Sequence, residues 1–345
     1  MRIYLQQKSR GIALMVVMIA VFVLAVLAAG FAYSMKVETK LAMNAQNETS
    51  DIRAALSGIA IASMKLSISG NYPYNALTQQ WAGGSGDECD TNNPLDPALL
   101  DNFSPDGRKV TVKITDLERK FNINAASQPI LDAALNGVLG VDAGEAPSIV
   151  AAIQDWIDPD EMTVNGAESD YYQSLNPPYY SKNAPIDDLS ELLLVRGITQ
   201  EMYWGPAATN HSAAVFQQKD RFGRVIEEPT YPVGLVDLFT PISSGRVNAN
   251  TASAEVLRLI GFTEADADDF ISRRDMAPFH SLAEAKAQAP PNLAPAMDRY
   301  CDPNCKSSTF EVEVTVEGSN SRFFAILARN NPKDIQILSF YWIDQ

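Results

Sequence analysis

The residues best suited to chemistry are acids. Asp155, Asp158, Asp160, Glu161, Glu168 and Asp170 fall within one short stretch, punctuated by Pro159 and Gly166. Those two residues mark a turn-rich loop rather than a helix. Carboxylates on a flexible loop suit calcium, which takes six to eight oxygen ligands. The candidate ligands are Asp155, Asp158, Asp160, Glu168 and Asp170. The spacing is not that of an EF-hand. Counting from Asp158 or Asp160, loop position six is Thr163 or Asn165, and neither is the glycine that loop requires. The competing reading is a solvated acidic loop. Trp156, Ile157, Tyr171 and Tyr172 argue for a packed one, and packed acids repel unless a cation intervenes. Paired carboxylates also serve glycoside hydrolysis. Here no nucleophile, lysine or histidine partners them, and one loop cannot flank a substrate from both sides. The chain is therefore read as non-enzymatic.

Other reactive side chains are scarce. The histidines are His211 and His280, too few for a histidine-based metal or acid–base site. Of the cysteines Cys89, Cys301 and Cys305, the last two bracket Asp-Pro-Asn. In an oxidising compartment Cys301 and Cys305 are a possible disulfide, and the five-residue loop would add little stability. Cys89 is read as a free thiol, although it could pair with either. The segment Val247–Ala285 has the look of a helix–hairpin–helix. Gly261 would make its turn, but Glu264, Asp266, Asp268 and Asp269 would repel phosphate. The charge is −15, from 27 basic and 42 acidic residues, which opposes a nucleic-acid partner. A structural helical module is expected there.

These groups need a frame, and its start is at the N-terminus. Residues 1–10 carry Arg2, Lys8 and Arg10 and no acid. From Ile12 to Tyr33 there are 22 residues without a charge. At about 1.5 Å per residue such a helix crosses a bilayer core of about 30 Å. The basic head would remain cytoplasmic and the bulk would lie outside. Ser34–Ser69 has no proline, and Leu41, Ile52, Leu56, Ile59 and Ile61 fall on helical spacing. One long helix is expected over 12–67, with the transmembrane segment at 12–33. Loops follow over Gly70–Arg108, then an alternating strand at Lys109–Asp116.

Over 122–296 the pattern turns helical, with patches at Pro129–Leu139, Ala146–Trp156, Leu189–Val195, Ser253–Ile260 and Glu264–Arg274. Strand alternation returns at Thr309–Glu317, Arg322–Arg329 and Asp334–Ile343. The expected fold is α+β: a long N-terminal helix on an antiparallel sheet, interrupted by a large inserted helical domain. In outline the chain divides into a leader (1–11), the stem helix, a first sheet part (68–121), the insertion (122–296) and a second sheet part (297–345).

Gly11 joining the basic head to Ile12 resembles the signal of type IV pilins and pseudopilins. That resemblance implies cleavage between Gly11 and Ile12 by a prepilin peptidase, methylation of the new N-terminus, and retention of the apolar helix. Those families usually carry glutamate at the fifth mature position, which here is Val16. The runs DLERKFNIN (Asp116–Asn124), AIQDWIDPDEMTVNGAESDYY (Ala152–Tyr172), PPYYSKNAP (Pro177–Pro185), SELLLVRGIT (Ser190–Thr199) and VNANTASAEVL (Val247–Leu257) together resemble the general secretion pathway protein K (GspK) family. The K type of pseudopilin characteristically lacks that glutamate. The resemblance implies a minor pseudopilin of a type II secretion system. Such a subunit is anchored in the bacterial inner membrane and sits at the tip of the periplasmic pseudopilus. It helps start assembly with the I and J minor pseudopilins, and it holds one or two calcium ions in the helical domain. Where the family has an acid after Gly166-Ala167-Glu168, this chain has Ser169, and Asp170 stands next to it. The alternatives are a minor pilin of a type IV pilus and a membrane-anchored metal-dependent enzyme.

Overall fold

The computed structural model describes residues 10–92, 95, 97–207 and 230–344. The leader up to Ser9, and with it Arg2 and Lys8, lies outside the described residues, as does His211.

The expected stem is one continuous helix, α1, Arg10–Ser69. Its Ile12–Ser69 portion is long and apolar enough to cross a membrane. Residues 12–49 are exposed throughout, whereas the lower end packs on a sheet. There Ala54, Ala55, Ile59, Ala62 and Leu66 are buried. Small residues let the helix approach closely, and Gly58 marks the closest point. A Cβ added at Gly58 would lie 2.9 Å from a Val314 methyl and 3.1 Å from Val110 and Val112.

The sheet has four antiparallel strands in the order β1-β4-β5-β6, where β1 is Val110–Asp116, β4 Thr309–Val316, β5 Ser321–Asn331 and β6 Asp334–Asp344. Its first strand and its last three are separated in sequence by the helical region, as the alternation pattern implies. Val110 pairs with Val316 and Val112 with Val314, so their side chains meet the stem. Two residues each of β2 (Phe121–Asn122) and β3 (Phe239–Thr240) form a small parallel pair elsewhere.

The helical region is built from short elements: α2 Gln128–Asp132, α3 Ala146–Ile157, α4 Ser169–Gln173, α5 Gln200–Trp204, α6 Leu235–Leu238, α7 Ala254–Ile260, α8 Glu264–Met276, α9 Leu282–Gln288 and α10 Ala294–Tyr300. The patch at Pro129–Leu139 is not a uniform α-helix. After Asp132 it widens to a π-helix over Ala133–Leu139. Leu189–Leu194 is a 3-10 turn, opened by a capping box of Asp188 and Glu191. The hairpin-like module forms as read. Ser253 accepts from the Val256 amide to cap α7, Gly261 ends it at φ 111°, and Thr263 caps α8. Glu264, Asp268 and Asp269 are exposed, Asp266 is half-buried, and the apolar side, Val256, Leu257, Ala267 and Phe270, is buried.

Among the described residues there are two apolar cores. One lies between the stem and the sheet, the other inside the helical region. The larger core takes in Tyr74, Phe121, Met297, Cys301 and Cys305 from outside 122–296. Its reach is therefore wider than the sequence boundaries. Cys301 and Cys305 are both completely buried and stand as free thiols, as does the half-buried Cys89. Burial pushes the Cys301 and Cys305 thiols up to about 12.

A buried polar joint links the two cores. Asp116, at the end of β1, accepts from Ser307 Oγ and Thr251 Oγ1 at 2.6 Å each and from the Glu118 amide. Glu118 takes the Thr309 amide and Ser308 Oγ. Arg329 donates to Leu66 O, Ser69 Oγ, Asn75 Oδ1 and Ser307 O. Stem, sheet and helical region are thus stitched by one buried network, in which only the Asn75 side-chain nitrogen lacks a partner, and which fixes their relative orientation.

Candidate functional site

The acidic loop is held between two rigid supports. α3 buries Ile149, Val150, Ile153 and Trp156 and ends at Ile157, placing Asp158 at its C-terminal cap. α4 follows the loop and buries Tyr172, whose ring stacks on Tyr179 and meets Trp156 edge-on at 5.2 Å. The aromatic packing expected from Trp156 and Tyr172 is present. Tyr171 is instead partly exposed, and the Arg196 guanidinium lies 5.1 Å from its ring centre.

Between these supports the loop folds back on α3. Asp155, on the last turn of α3, accepts from Thr163 Oγ1 at 2.5 Å. Gly166 passes so close that a Cβ would sit 2.0 Å from Asp155 Oδ2 and 2.8 Å from the Ala151 carbonyl carbon. Arg196 Nη1 donates to Gly166 O at 2.8 Å, and Ser148 Oγ donates to Asn165 O at 3.0 Å. The turn is therefore anchored by its backbone, leaving the carboxylates to converge.

Asp158, Asp160 and Glu168 each present an oxygen to one point, with these atoms all within 4.8 Å of one another. Asp158 Oδ1 and Glu168 Oε1 are buried without a hydrogen-bond partner. Glu168 is 4% exposed, and its other oxygen accepts from Ser181 Oγ at 3.1 Å. Desolvation pushes the Glu168 carboxyl up to about 7, and the charges of Asp155, Glu161 and Asp158 push the same way. Desolvation, with Asp160 and Asp155, also raises Asp158. Like charges gathered out of water around unpartnered oxygens are an arrangement that a divalent cation relieves. The donor set is all oxygen, as a hard cation requires. These residues fit calcium.

Of the five sequence candidates, Asp158, Asp160 and Glu168 converge. Asp155 lies behind them, bonded to Thr163. Asp170 does not join the group: it is exposed on the first turn of α4. A helix start turns successive side chains apart, so adjacency to Ser169 does not bring Asp170 to the place an acid at 169 would reach. Ser169 turns inward. Its hydroxyl meets Ser181 at 2.7 Å and donates to Glu161 Oε1 at 3.0 Å.

Sequence reasoning missed Asn183. Its amide nitrogen donates to Glu161 Oε1 and to Asp160 O, while its Oδ1 is buried and unpartnered. It sits at φ 48°, a left-handed conformation that asparagine tolerates. The signal available was an asparagine in a proline-bounded run, which reads equally as a turn.

Comparison with known proteins bears on this region directly. Residues 115–205 match the family model "Type II secretion system (T2SS), protein K". The type II secretion system protein K of Pectobacterium carotovorum is 34% identical over 29% of this chain and 35% of its own length. The putative type II secretion system protein K of Escherichia coli K12 is 28% identical over 58% of this chain and 61% of its own. That of Klebsiella pneumoniae is 32% identical over 32% and 40%. The chain thus spans from about a third to three fifths of the curated relatives it matches. In fold it resembles a chain of the GspK–GspI–GspJ complex of enterotoxigenic Escherichia coli, with a TM-score of 0.65 and 18% identity. The likeness covers 87% of this chain and 98% of that one.

Proposed function

We propose that this chain, which belongs to the type II secretion system protein K family, is a minor pseudopilin that caps the pseudopilus tip. It is a structural subunit and not an enzyme. The observation that carries the reading is the division of α1. Its lower end is packed on the sheet, while residues 12–49 form an exposed, largely apolar rod. Such a rod is stable only in lipid or against other apolar helices. It serves first as an inner-membrane anchor, with the basic head on the cytoplasmic side, and then as a stem among other stems.

Prepilin peptidase cuts between Gly11 and Ile12, and the new terminal amine is methylated. The partners are minor pseudopilins of the I and J types. The complex named for the structurally similar chain supports this. The absence of a carboxylate at Val16 and the bulk of the helical region favour one copy with nothing stacked above it. A bound calcium supplies charge neutralisation. Asp158, Asp160, Glu168 and Asn183 would hold it, while Ser181 braces Glu168 and Thr163 and Arg196 brace the loop through Asp155 and Gly166.

The test is the mature protein itself. Mass spectrometry of the chain from membranes should find N-methylated Ile12 at its start, and Gly11→Leu should retain the leader. The same preparation should contain two smaller minor pseudopilins. A chain that keeps Met1 and purifies alone would contradict the reading.

A further inference from the structure

The turn Cys301–Cys305 lies where several parts of the chain meet. Cys301 ends α10, its amide donating to Met297 O, and its carbonyl accepts from Arg246 Nη1 at 3.0 Å. The Asp302 amide donates to Val247 O, at the start of the hairpin-like module. Pro303 O takes the Leu282 amide at the head of α9. Cys305 O takes the Asn75 amide, from the loop after the stem, at 2.9 Å. Two residues further on, Ser307 enters the buried polar joint. The turn is wound on Asp302. Its carbonyl accepts from the Cys305 amide, and its Oδ1 accepts from the amides of Asn304 and Lys306.

Cys301 and Cys305 are both completely buried in the larger core. After burial itself, the neighbouring Cys305 is the largest influence raising the Cys301 thiol. Cys89 lies apart from them, among Tyr74, Asp87 and Glu88. The backbone supplies an independent observation. Cys305 sits at φ 49°, in the left-handed region. Among the described residues the other non-glycines at positive φ are Asn165 and Asn183, of the type that tolerates it. Glycine or asparagine would take this place with less strain, and alanine would fill a core position without sulfur. What cysteine alone offers at a strained, buried position is a bond.

We propose that Cys301 and Cys305 are joined by a disulfide in the mature protein, made by a thiol oxidase of the periplasm, and that the bond locks this turn at the seam between the two cores. The proposal rests on the pseudopilin reading above, which puts the head in an oxidising compartment. One cysteine thiolate attacks the oxidase's disulfide to give a mixed disulfide. The second thiolate attacks that bond and releases the oxidase as a dithiol. The pair loses two protons and two electrons, and the oxidase takes them up. Exchange precedes closure of the core, because burial holds the folded thiols up at about 12, where thiolate is scarce. Once the core closes, the bond is out of reach of reductants. Closing so short a loop is worth about 4 °C in the midpoint of unfolding.

The test uses the full chain from inner membranes, quenched in acid, unfolded and alkylated. Trypsin then releases both cysteines in one peptide, Tyr300–Lys306. That peptide should carry no alkyl group and be two hydrogens lighter than its reduced form, while Cys89 is alkylated. Cells without the periplasmic thiol oxidase should yield the peptide doubly alkylated, in a chain that melts about 4 °C lower. Cys301→Ala with Cys305→Ala should melt alike from either strain. Protease added to spheroplasts fixes the side of the membrane. A protease-accessible head with Cys301 and Cys305 both alkylated, or with either bonded to Cys89 or to another chain, would overturn the proposal and leave the pseudopilin reading standing. A bond present with no difference in midpoint between the strains would refute the lock. A head protected from protease would sink both the proposal and the reading beneath it.

Discussion

Removing calcium should loosen the acidic loop by an amount that can be worked out in advance. A ligand that binds only the folded state adds RT ln(1 + [L]/Kd), about 2.7 kcal/mol at a hundredfold excess over Kd. For a protein of this size each kcal/mol moves the midpoint by about 2 °C, so chelation should lower it by about 5 °C. The assay is thermal unfolding of the detergent-solubilised chain, with and without chelator, followed by the fluorescence of Trp156 and its fellow tryptophans. Asp158→Ala with Asp160→Ala should erase the difference. The sign of the residual effect matters. Without calcium, Asp158, Asp160 and Glu168 repel one another within 4.8 Å. The double variant should therefore melt no lower than the chelated parent, and slightly higher if repulsion is the larger effect. Asp170→Ala, at an exposed residue outside the group, should keep the full shift. A parent indifferent to chelator, or a shift that survives the double substitution, would refute the reasoning.

Gly166→Ala should cut calcium affinity tenfold or more, since its Cβ would lie 2.0 Å from Asp155 Oδ2; isothermal titration measures it. Burial, reinforced by Glu118, raises Asp116 to about 7. The folded chain then holds a proton that the unfolded chain releases above about pH 4. Stability from this group is full below pH 4 and is lost as pH rises toward 7, by at most about 1.4 kcal/mol per unit. Denaturant titrations should show a flatter slope over that window for Asp116→Asn. Arg329→Met leaves Ser307 O without its donor and takes one donor each from Asn75 Oδ1 and Leu66 O, which keep the Ser307 and Gly70 amides. It should cost about 3–5 kcal/mol, and Arg329→Lys should restore only part, because an ammonium cannot reproduce the planar fork.

The frame of the molecule was legible because its signals are periodic. An uncharged run of helical length gave the stem, and strict alternation gave β1, β4, β5 and β6 to within a few residues at either end. The short elements were harder to read. α4, α5 and α6 have four or five residues, too few to show a period, and they exist because tertiary packing holds them. The π-helical turn at Ala133–Leu139 has no sequence signal distinct from an α-helix.

Within the site, acid clustering found Asp158, Asp160 and Glu168. Composition could not separate them from Asp170, because direction depends on where α4 begins. Asn183 was invisible for a related reason. Its contribution comes from a turn that brings it back over Glu161, a distance of 22 residues along the chain. The polar joint was present in the sequence as motif residues, Asp116, Glu118, Asn248 and Thr251, without its role. Only the fold shows that they meet Arg329 and Ser307.

The most direct test of the central claim is where the chain sits, and how often, in an assembled pseudopilus. Purified filaments should carry one copy each, counted by quantitative mass spectrometry. Gold-labelled antibody against the helical region should mark one end alone. Label repeating along the shaft, or a copy number that grows with filament length, would contradict the account.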